Sequence, residues 1–370
     1  MATAMAAEAA RQAPARSYYF GAGPALLPPE VIAEIRTELS QFRGSGVSIL
    51  ELGHRSPEFR ALMRETEGDL RDLMAIPPEY AVLCMHGGAT LQFALAPLNL
   101  GGRGAYLVTG QWSAKAWREA ERVAEGQAVW DGTAGGYTRV PARHEWQIAG
   151  EAGYLHYTVN ETIAGVEFHF TPASSAVPLV ADMTSMILSR TVKVSEHALI
   201  YASAQKNLGI AGITVVILNP AALRAPPRGT PSLMDYRVSL EAESLPNTPP
   251  VFAWYVLGKM LKWTQSQGGV GALAVRNQRK AEMLYAALDA SDFYISRVDK
   301  ASRSWMNVPF RLRDQKLEAL FLQEAATAGL KNLAGHRSSG GIRASIYNAM
   351  PEAGVALLAE FMRDFARQHG

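Results

Sequence analysis

Short apolar runs alternate with helical patterns between about residue 45 and residue 220 of this chain. Apolar runs bounded by Gly, Pro or polar residues are typical of buried strands, whereas apolar residues three or four positions apart are typical of amphipathic helices. The pattern predicts strands near 80–85, 105–109, 154–158, 178–182, 198–202 and 213–218, and helices over 57–74, 89–99 and 112–124. This alternation predicts an α/β domain with a mostly parallel sheet.

The pattern changes after a proline-rich stretch that runs from Pro226 to Pro250. Two long helical patterns follow, over 250–266 and 270–289. The tail then predicts a strand over 305–310, a helix over 314–328, a strand over 341–346 and a helix over 351–367. This order is typical of a smaller α+β domain joined to the first by a long helix. With 370 residues the chain is also longer than one hydrophobic core usually supports, so we expect two domains.

Composition narrows the possible partners. The formal net charge of +2, with no long run of Lys or Arg, argues against nucleic acid or a membrane surface as the main partner. No apolar stretch approaches the roughly eighteen residues of a membrane-spanning helix. The one cysteine, Cys84, excludes an intrachain disulfide and makes a cysteine-based metal site nearly impossible, and we predict no metal site. With no membrane helix or signal core in the sequence, the cytoplasm is the default compartment. The Ala-rich residues 1–16 lack the apolar core of a signal peptide, and we expect a disordered leader there.

The stretch around Lys206 carries the strongest chemical signal. Lys206 stands in a turn of small residues between two apolar runs, Ala198–Ala202 and Ile213–Leu218. Burying an unpaired ammonium is costly, so such a lysine titrates, pairs or forms a covalent adduct, and a Schiff base with an aldehyde cofactor suits it best. Asp182 ends another apolar run twenty-four residues earlier. Alone, Lys206 and Asp182 are each better explained as an ordinary polar group at a strand end. Together they predict pyridoxal 5'-phosphate as cofactor, because it needs a lysine for its aldehyde and a carboxylate for its pyridinium nitrogen.

Other turns carry candidate contacts to such a cofactor. The turn Gly87–Thr90 lies between a strand and a helix, where backbone N–H groups can surround a phosphate or simply form a structural turn. Trp112 follows the next strand, and its ring could stack on a pyridine in the same crevice, although most tryptophans fill cores. Asn160–Thr162 could bond a ring substituent or form only a turn, and Asn247–Thr248 is as well explained by a helix N-cap.

Two His-Arg pairs and one further arginine indicate an anionic substrate. The pairs are His54–Arg55 and His336–Arg337, and Arg343 lies inside the apolar-edged strand Ile342–Ile346. The donor fork of arginine matches the oxygens of carboxylates and phosphates. The ordinary alternative for each pair is a solvated surface group, but the strand around Arg343 makes solvent exposure less expected there.

Eight short motifs, in this order, resemble the phosphoserine aminotransferase family. They are Ala22–Ala25, His54–Ser56, Gly87–Phe93, Asn160–Thr162, Ala204–Asn207, Asn247–Pro250, Gly335–Arg337 and Arg343–Asn348. Each motif alone is unspecific, but the ordered set is specific, and the resemblance runs from about Tyr18 to the C-terminus. It implies a class V aminotransferase of fold type I that works as a homodimer with active sites at the subunit interface. The implied division is an N-terminal segment over 17–28 that packs with the small domain, a large cofactor-binding domain over 29–276 and a small domain over 277–370.

The resemblance also implies a role for each candidate residue. Lys206 would form the Schiff base with the cofactor aldehyde, and Asp182 would face the pyridine nitrogen. Ring contacts would come from Trp112 and Thr162. The cofactor phosphate would be held by Ala89, Thr90 and Gln205, joined by Asn247 and Thr248 of the neighbouring subunit. Arg343 would bind the substrate α-carboxylate, and the distal phosphate would be surrounded by His54, Arg55, His336 and Arg337, some of them donated across the interface.

The implied reaction is reversible amino transfer from glutamate to 3-phosphohydroxypyruvate, which yields 2-oxoglutarate and O-phospho-L-serine in serine biosynthesis. Many members of the family are also credited with amino transfer to a phosphorylated four-carbon acid on the route to vitamin B6. Val159 stands where many members have proline, and Ala164 replaces a commoner acidic residue; neither alters Thr162. The alternatives are another class V transaminase acting on an unphosphorylated substrate and a non-catalytic homologue that binds the cofactor. Cysteine desulfuration is disfavoured because Cys84 lies in a predicted core strand.

Overall fold

The computed structural model describes residues 17–148, 151–172 and 177–370. The predicted leader over 1–16 lies outside the described residues. The strands are β1 Tyr18–Tyr19, β2 Ala81–Met85, β3 Arg103–Val108, β4 Glu125–Asp131, β5 Tyr154–Thr158, β6 Asn160–Glu161, β7 Val166–Glu167, β8 Leu179–Asp182, β9 Leu199–Ser203, β10 Thr214–Leu218, β11 Tyr294–Ile295, β12 Asn307–Leu312, β13 Leu330–Lys331 and β14 Ile342–Ser345. The helices are α1 Pro29–Glu38, α2 Pro57–Met74, α3 Gly88–Leu100, α4 Gln111–Val123, α5 Tyr236–Glu241, α6 Val251–Ser266, α7 Gly269–Asp289, α8 Glu318–Thr327 and α9 Glu352–His369.

A seven-stranded sheet with the order β2-β10-β9-β8-β5-β3-β4 forms the centre of the larger part of the chain. From β9 to β4 every neighbouring pair is parallel, while β10 is antiparallel to both of its neighbours. Strands β5, β8, β9 and β10 are buried along their whole length. Strands β8, β9 and β10 accordingly appear in the sequence as nearly continuous apolar runs, whereas β5 also contains the buried polar residues His156 and Thr158. The predicted α/β architecture with a mostly parallel sheet is confirmed.

The direction of the strands decides where a site can form. Strands β2, β3, β5, β8 and β9 all run the same way, because β2 and β9 are each antiparallel to β10 between them. Their carboxyl ends therefore lie along one edge of the sheet, and ligands of open α/β sheets bind outside that edge. Asp182 ends β8, and Lys206 lies in the turn after β9.

Helix α2 shows how the sequence pattern becomes packing. Its buried residues Phe59, Leu62, Leu70 and Met74 recur at helical spacing and face the core. The helix begins after Ser56, whose side-chain oxygen accepts the N–H of Phe59 at 3.2 Å. The core on this side of the sheet also contains residues of α6, including Trp254, whose ring meets Phe59 edge to face at 5.6 Å.

A second hydrophobic core is built from residues that follow about 281 together with Phe20 from the N-terminal segment. Strand β1 pairs in parallel with β13, and a three-stranded sheet with the order β11-β12-β14 packs against α7 and α9. The predicted boundary between 276 and 277 falls inside α7. The division into domains stays a prediction.

Several observed elements differ from the predicted ones, and α1 and α5 were not predicted at all. The apolar run Val47–Leu50, which has the pattern of a short strand, forms turns and bends instead. Strand β12 begins at Asn307, two residues later than predicted. The backbone N–H groups just before that point have side-chain partners: Trp305 donates to the carboxylate of Glu167, and Met306 and Asn307 donate to the hydroxyl of Ser304. Strand β4 was not predicted, since it lies at the edge of the sheet and its side chains are only half buried.

In the part of the chain that the structure describes, no helix is long and apolar enough to cross a membrane. Nor do the described residues include a group of three or more His, Cys, Asp or Glu side chains arranged to hold a metal ion.

Candidate active site

Lys206 is buried at the carboxyl edge of the sheet, with 7 % of its surface exposed. Its Nζ donates to Thr162 Oγ1 at 2.5 Å. Burial lowers the pKa of the ammonium to about 8, against the opposing attraction of Asp182, and Arg343 adds to the lowering. A lysine held in this way is close to losing its proton at neutral pH, and so it can act as a nucleophile or a base.

Asp182 is also buried, at the end of β8. Its Oδ1 accepts the backbone N–H of Thr184 at 2.9 Å. Burial raises the pKa of the carboxyl, while the hydrogen bonds from Thr184 and the charge of Lys206 lower it. The hydrogen bond orients this carboxylate in the cavity that Lys206 also lines.

That cavity has a volume of ≈ 330 Å³. Nine of the side chains predicted for the site line it, from both parts of the chain. They are Ala89, Thr90, Trp112, Thr162, Asp182, Gln205, Lys206, His336 and Arg343. The predicted lysine, carboxylate, aromatic ring and cationic groups are therefore together in one concave space of the size that small-molecule sites have.

One turn that lines the cavity has the character of an anion site. Gly87 and Gly88 have φ of 89° and 66°, and they turn the chain from β2 into α3. The backbone N–H groups of the first turn of α3, which includes Ala89 and Thr90, have no partners within the helix. Together with the helix dipole they favour a phosphate. The side-chain oxygen of Gln205 is buried here without a hydrogen-bond partner.

The cavity is also lined by cationic side chains. Arg343 lies in β14, and its Nη1 donates to the backbone oxygen of Thr162 at 3.3 Å. Burial lowers the pKa of this guanidinium. Burial also lowers the pKa of His336, and the charges of Arg343 and Arg337 lower it further. Two donor side chains from the smaller part of the chain thus line the same cavity as the lysine.

Five predicted residues do not line this cavity in the single chain: His54, Arg55, Asn247, Thr248 and Arg337. Of these, His54 is half buried and the others are exposed. Asn247 lines a separate cavity of ≈ 90 Å³ that His86 and Leu91 also line. The predicted roles of all five stay predictions, and each of them requires or allows a second subunit.

Several lining residues were not predicted as site residues. They include Ala22, Gly23, Thr158, Thr184, Ser185 and Ser203. The signal for Ser203 and Thr184 was available, because each stands close to a predicted residue at the same strand end. The sequence gives no signal that Gly23 lies next to Lys206, because the two residues meet only in the folded chain. A Cβ on Gly23 would lie 3.5 Å from the Lys206 side chain.

Three comparisons place the chain among known proteins. The family model described as aminotransferase class-V matches residues 17–358. The phosphoserine aminotransferase of Hahella chejuensis is 49 % identical over 354 residues, which cover 95 % of this chain and 98 % of the relative. Among solved structures, the phosphoserine aminotransferase of Bacillus circulans subsp. alkalophilus superposes with a TM-score of 0.93 at 40 % identity, covering 96 % of this chain and 99 % of that one.

A second solved structure, PLP-bound phosphoserine aminotransferase from Trichomonas vaginalis, has a TM-score of 0.90 at 36 % identity and covers 94 % of this chain and all of its own. The predicted fold type I architecture is thereby confirmed. Because the likeness extends over nearly the whole chain in both sequence and structure, the chain belongs to the class V aminotransferases and, within them, to the phosphoserine aminotransferase family.

Proposed function

We propose that this chain is a pyridoxal-phosphate-dependent transaminase that transfers an amino group reversibly between glutamate and 3-phosphohydroxypyruvate, forming O-phospho-L-serine for serine biosynthesis. The observation that carries the proposal is the cavity that Lys206 and Asp182 line together with an anion-binding turn and cationic side chains. The names of the relatives at up to 49 % identity support the same reaction.

The residues present fit the cofactor. The cavity of ≈ 330 Å³ is lined by one lysine and one aspartate among the described residues, which are the two side chains the cofactor needs. Two buried polar atoms, Gln205 Oε1 and Trp112 Nε1, have no hydrogen-bond partner within the chain. Buried polar groups are normally paired, so a polar ligand in the cavity could supply the partner that each of these atoms lacks.

Bound pyridoxal phosphate supplies an aldehyde that takes up amino groups and a pyridinium ring that draws electrons from the substrate α-carbon. Lys206, which is buried and has a lowered pKa, would hold the cofactor through its Nζ, and the same amine could take up and return the substrate α-proton as base and acid. Asp182 would favour a protonated ring nitrogen, because a carboxylate stabilises a neighbouring positive charge. Thr162 Oγ1 accepts from Lys206 Nζ, and its own hydroxyl proton would be donated to the phenolic oxygen of the ring.

The cationic groups orient the substrate. Arg343 and His336 both line the cavity, and we assign Arg343 to the α-carboxylate. The distal group must be accepted as the carboxylate of glutamate or the phosphate of phosphoserine. Imidazole and guanidinium donors tolerate both planar and tetrahedral oxyanions, so we assign this role to His336, Arg337, His54 and Arg55.

The function is tested by the visible spectrum of the purified protein loaded with pyridoxal phosphate. We expect O-phospho-L-serine to remove the yellow absorption, because the half-reaction converts the cofactor to its amine form, while L-serine at equal concentration leaves the band largely intact. Removal by L-serine at an equal rate would favour a class V transaminase for unphosphorylated substrates. A protein that binds the cofactor but responds to neither amino acid nor to glutamate would be a non-catalytic homologue.

We further propose that the active enzyme is a homodimer with shared sites. Arg55, Asn247 and Thr248 are exposed in the single chain, although the family resemblance assigns them to cofactor and substrate. A second copy related by two-fold symmetry can bring such residues to the partner's cavity. The cytoplasmic location also stays a prediction, which cell fractionation tests.

Subunit complementation tests the shared site. Co-expression of Lys206→Ala and Arg55→Ala chains with different tags allows the hybrid dimer to be purified. If Arg55 acts across the interface, one of the two sites is intact, and the hybrid should recover about half of the wild-type activity at low phosphoserine concentration. The matched control pairs Lys206→Ala with Arg343→Ala, because Arg343 lines the cavity of its own chain. That hybrid should stay inactive, and recovery in neither hybrid would contradict the assignment of Arg55.

A further inference from the structure

Glu161 is a fully buried carboxylate that the reaction described above does not use. It lies in β6, directly before Thr162, and it reaches the start of α4. Its Oε2 accepts the backbone N–H of Trp112 at 3.0 Å. Its Oε1 accepts the backbone N–H of Ser113 at 2.8 Å and the Ser113 hydroxyl at 2.6 Å. Both carboxylate oxygens are therefore bonded to the residue that carries the aromatic ring or to its neighbour.

The contact is closely fitted. A Cβ on Gly110 would lie 2.3–2.5 Å from the Cγ, Cδ and Oε2 atoms of Glu161, closer than any side-chain atom can approach. The glycine therefore leaves the space that the carboxylate fills. Helix α4 has thirteen residues, and its first N–H groups have no partner within the helix. A negative side chain at this end pairs with those groups and with the helix dipole.

The strand segment that carries Glu161 is itself fixed. The side-chain amide of Asn160 donates to Ser185 Oγ and to Asn307 Oδ1, both at 2.8 Å. The Ser185 hydroxyl donates to the backbone oxygen of Asn160 at 2.7 Å. Through Glu161 this anchored segment sets the position of the first residues of α4 relative to Thr162 and Lys206.

We propose that Glu161 is a positioning residue that holds the indole of Trp112 over the cofactor ring. The inference rests on the proposed function, since it requires a planar cofactor in the cavity. A carboxylate is needed because it accepts at both oxygens. The isosteric Glu161→Gln variant would place an NH₂ group against an N–H donor, and the start of α4 would move away.

The test measures cofactor affinity rather than turnover. Apoenzyme is titrated with pyridoxal phosphate, and binding is followed by the visible absorption and circular dichroism of the bound cofactor. We expect Glu161→Gln to raise the dissociation constant about tenfold, the effect of losing one charge-assisted hydrogen bond, and to weaken the dichroic band. The matched control is Glu167→Gln, because Glu167 is equally buried on the paired strand β7 but bonds Arg190 and Trp305 instead. Its dissociation constant should stay within about twofold of wild type.

A double-mutant cycle shows whether the effect passes through Trp112. In the Trp112→Ala background, where no ring remains to be positioned, Glu161→Gln should change the dissociation constant by less than about twofold. A full tenfold effect in that background, or wild-type binding by Glu161→Gln alone, would overturn the inference. If Glu161→Gln does not fold, Gly110→Ala displaces the same carboxylate and should weaken binding in the same direction. Failure of the wild-type apoenzyme to bind the cofactor would refute the proposed function instead.

Discussion

Replacing Lys206 with alanine should abolish transamination, with a loss of at least about 10⁴-fold in turnover, because one side chain acts as covalent anchor, base and acid. No other lysine among the described residues lines the cavity. The remaining contacts, from the turn of α3, Trp112 and Asp182, should still hold some cofactor by non-covalent bonds. The measurement is a single-turnover reaction with O-phospho-L-serine, followed by the visible spectrum.

Lys280 provides the matched control for the Lys206 variant. It is also fully buried, and burial lowers its pKa to about 7. Its Nζ donates to the backbone oxygens of Ile346, Tyr347 and Met350 at 2.7–3.1 Å, outside the cavity. Lys280→Met should destabilise the fold by about 2–4 kcal/mol, because buried carbonyls lose their donor, yet the variant should keep the yellow band with added cofactor. Near-normal turnover by Lys206→Ala would refute the role of Lys206.

Replacing Asp182 with asparagine should lower turnover by about 10³-fold or more, while the protein keeps its fold. The hydrogen bond from the Thr184 N–H to Oδ1 survives in the amide, so the side chain stays oriented. Its charge is lost, however, and a neutral amide cannot hold a proton on a pyridine nitrogen. The visible spectrum should still show cofactor attached to Lys206, since that bond needs no ring proton.

The control for this variant is Asp69→Asn. Asp69, on α2, is also buried. Its Oδ1 pairs with Lys262 at 2.8 Å, and the residue does not line the cavity. Loss of this ion pair should lower the thermal stability of the protein and leave turnover unchanged. A second readout separates charge from shape: Asp182→Glu keeps the charge, and it should retain more activity than Asp182→Asn. Equal activity of Asp182→Asn and wild type would contradict the assigned role of the carboxylate.

How far the site could be predicted differs from residue to residue. Lys206 and Asp182 follow apolar runs that can only be buried strands, so their arrival at one sheet edge follows from the strand pattern and the parallel topology. The sequence predicts no separate role for Glu161, which belongs to the Asn160–Thr162 motif. Its function in the fold depends on the N-terminus of α4 and on the missing side chain of Gly110, and no sequence pattern reveals that approach.

The sequence by itself determined the local elements and the chemistry of the cofactor residues, because strand and helix periodicity and the buried lysine and carboxylate are properties of short segments. The ordered motifs further determined the family. Only the tertiary structure decided that His336 and Arg343, which lie more than a hundred residues beyond Lys206, line the same cavity, and that Arg55 and Asn247 do not line it within one chain. The physical reason is that such contacts depend on how separately formed elements pack across the sheet edge, and packing is a property of the whole chain.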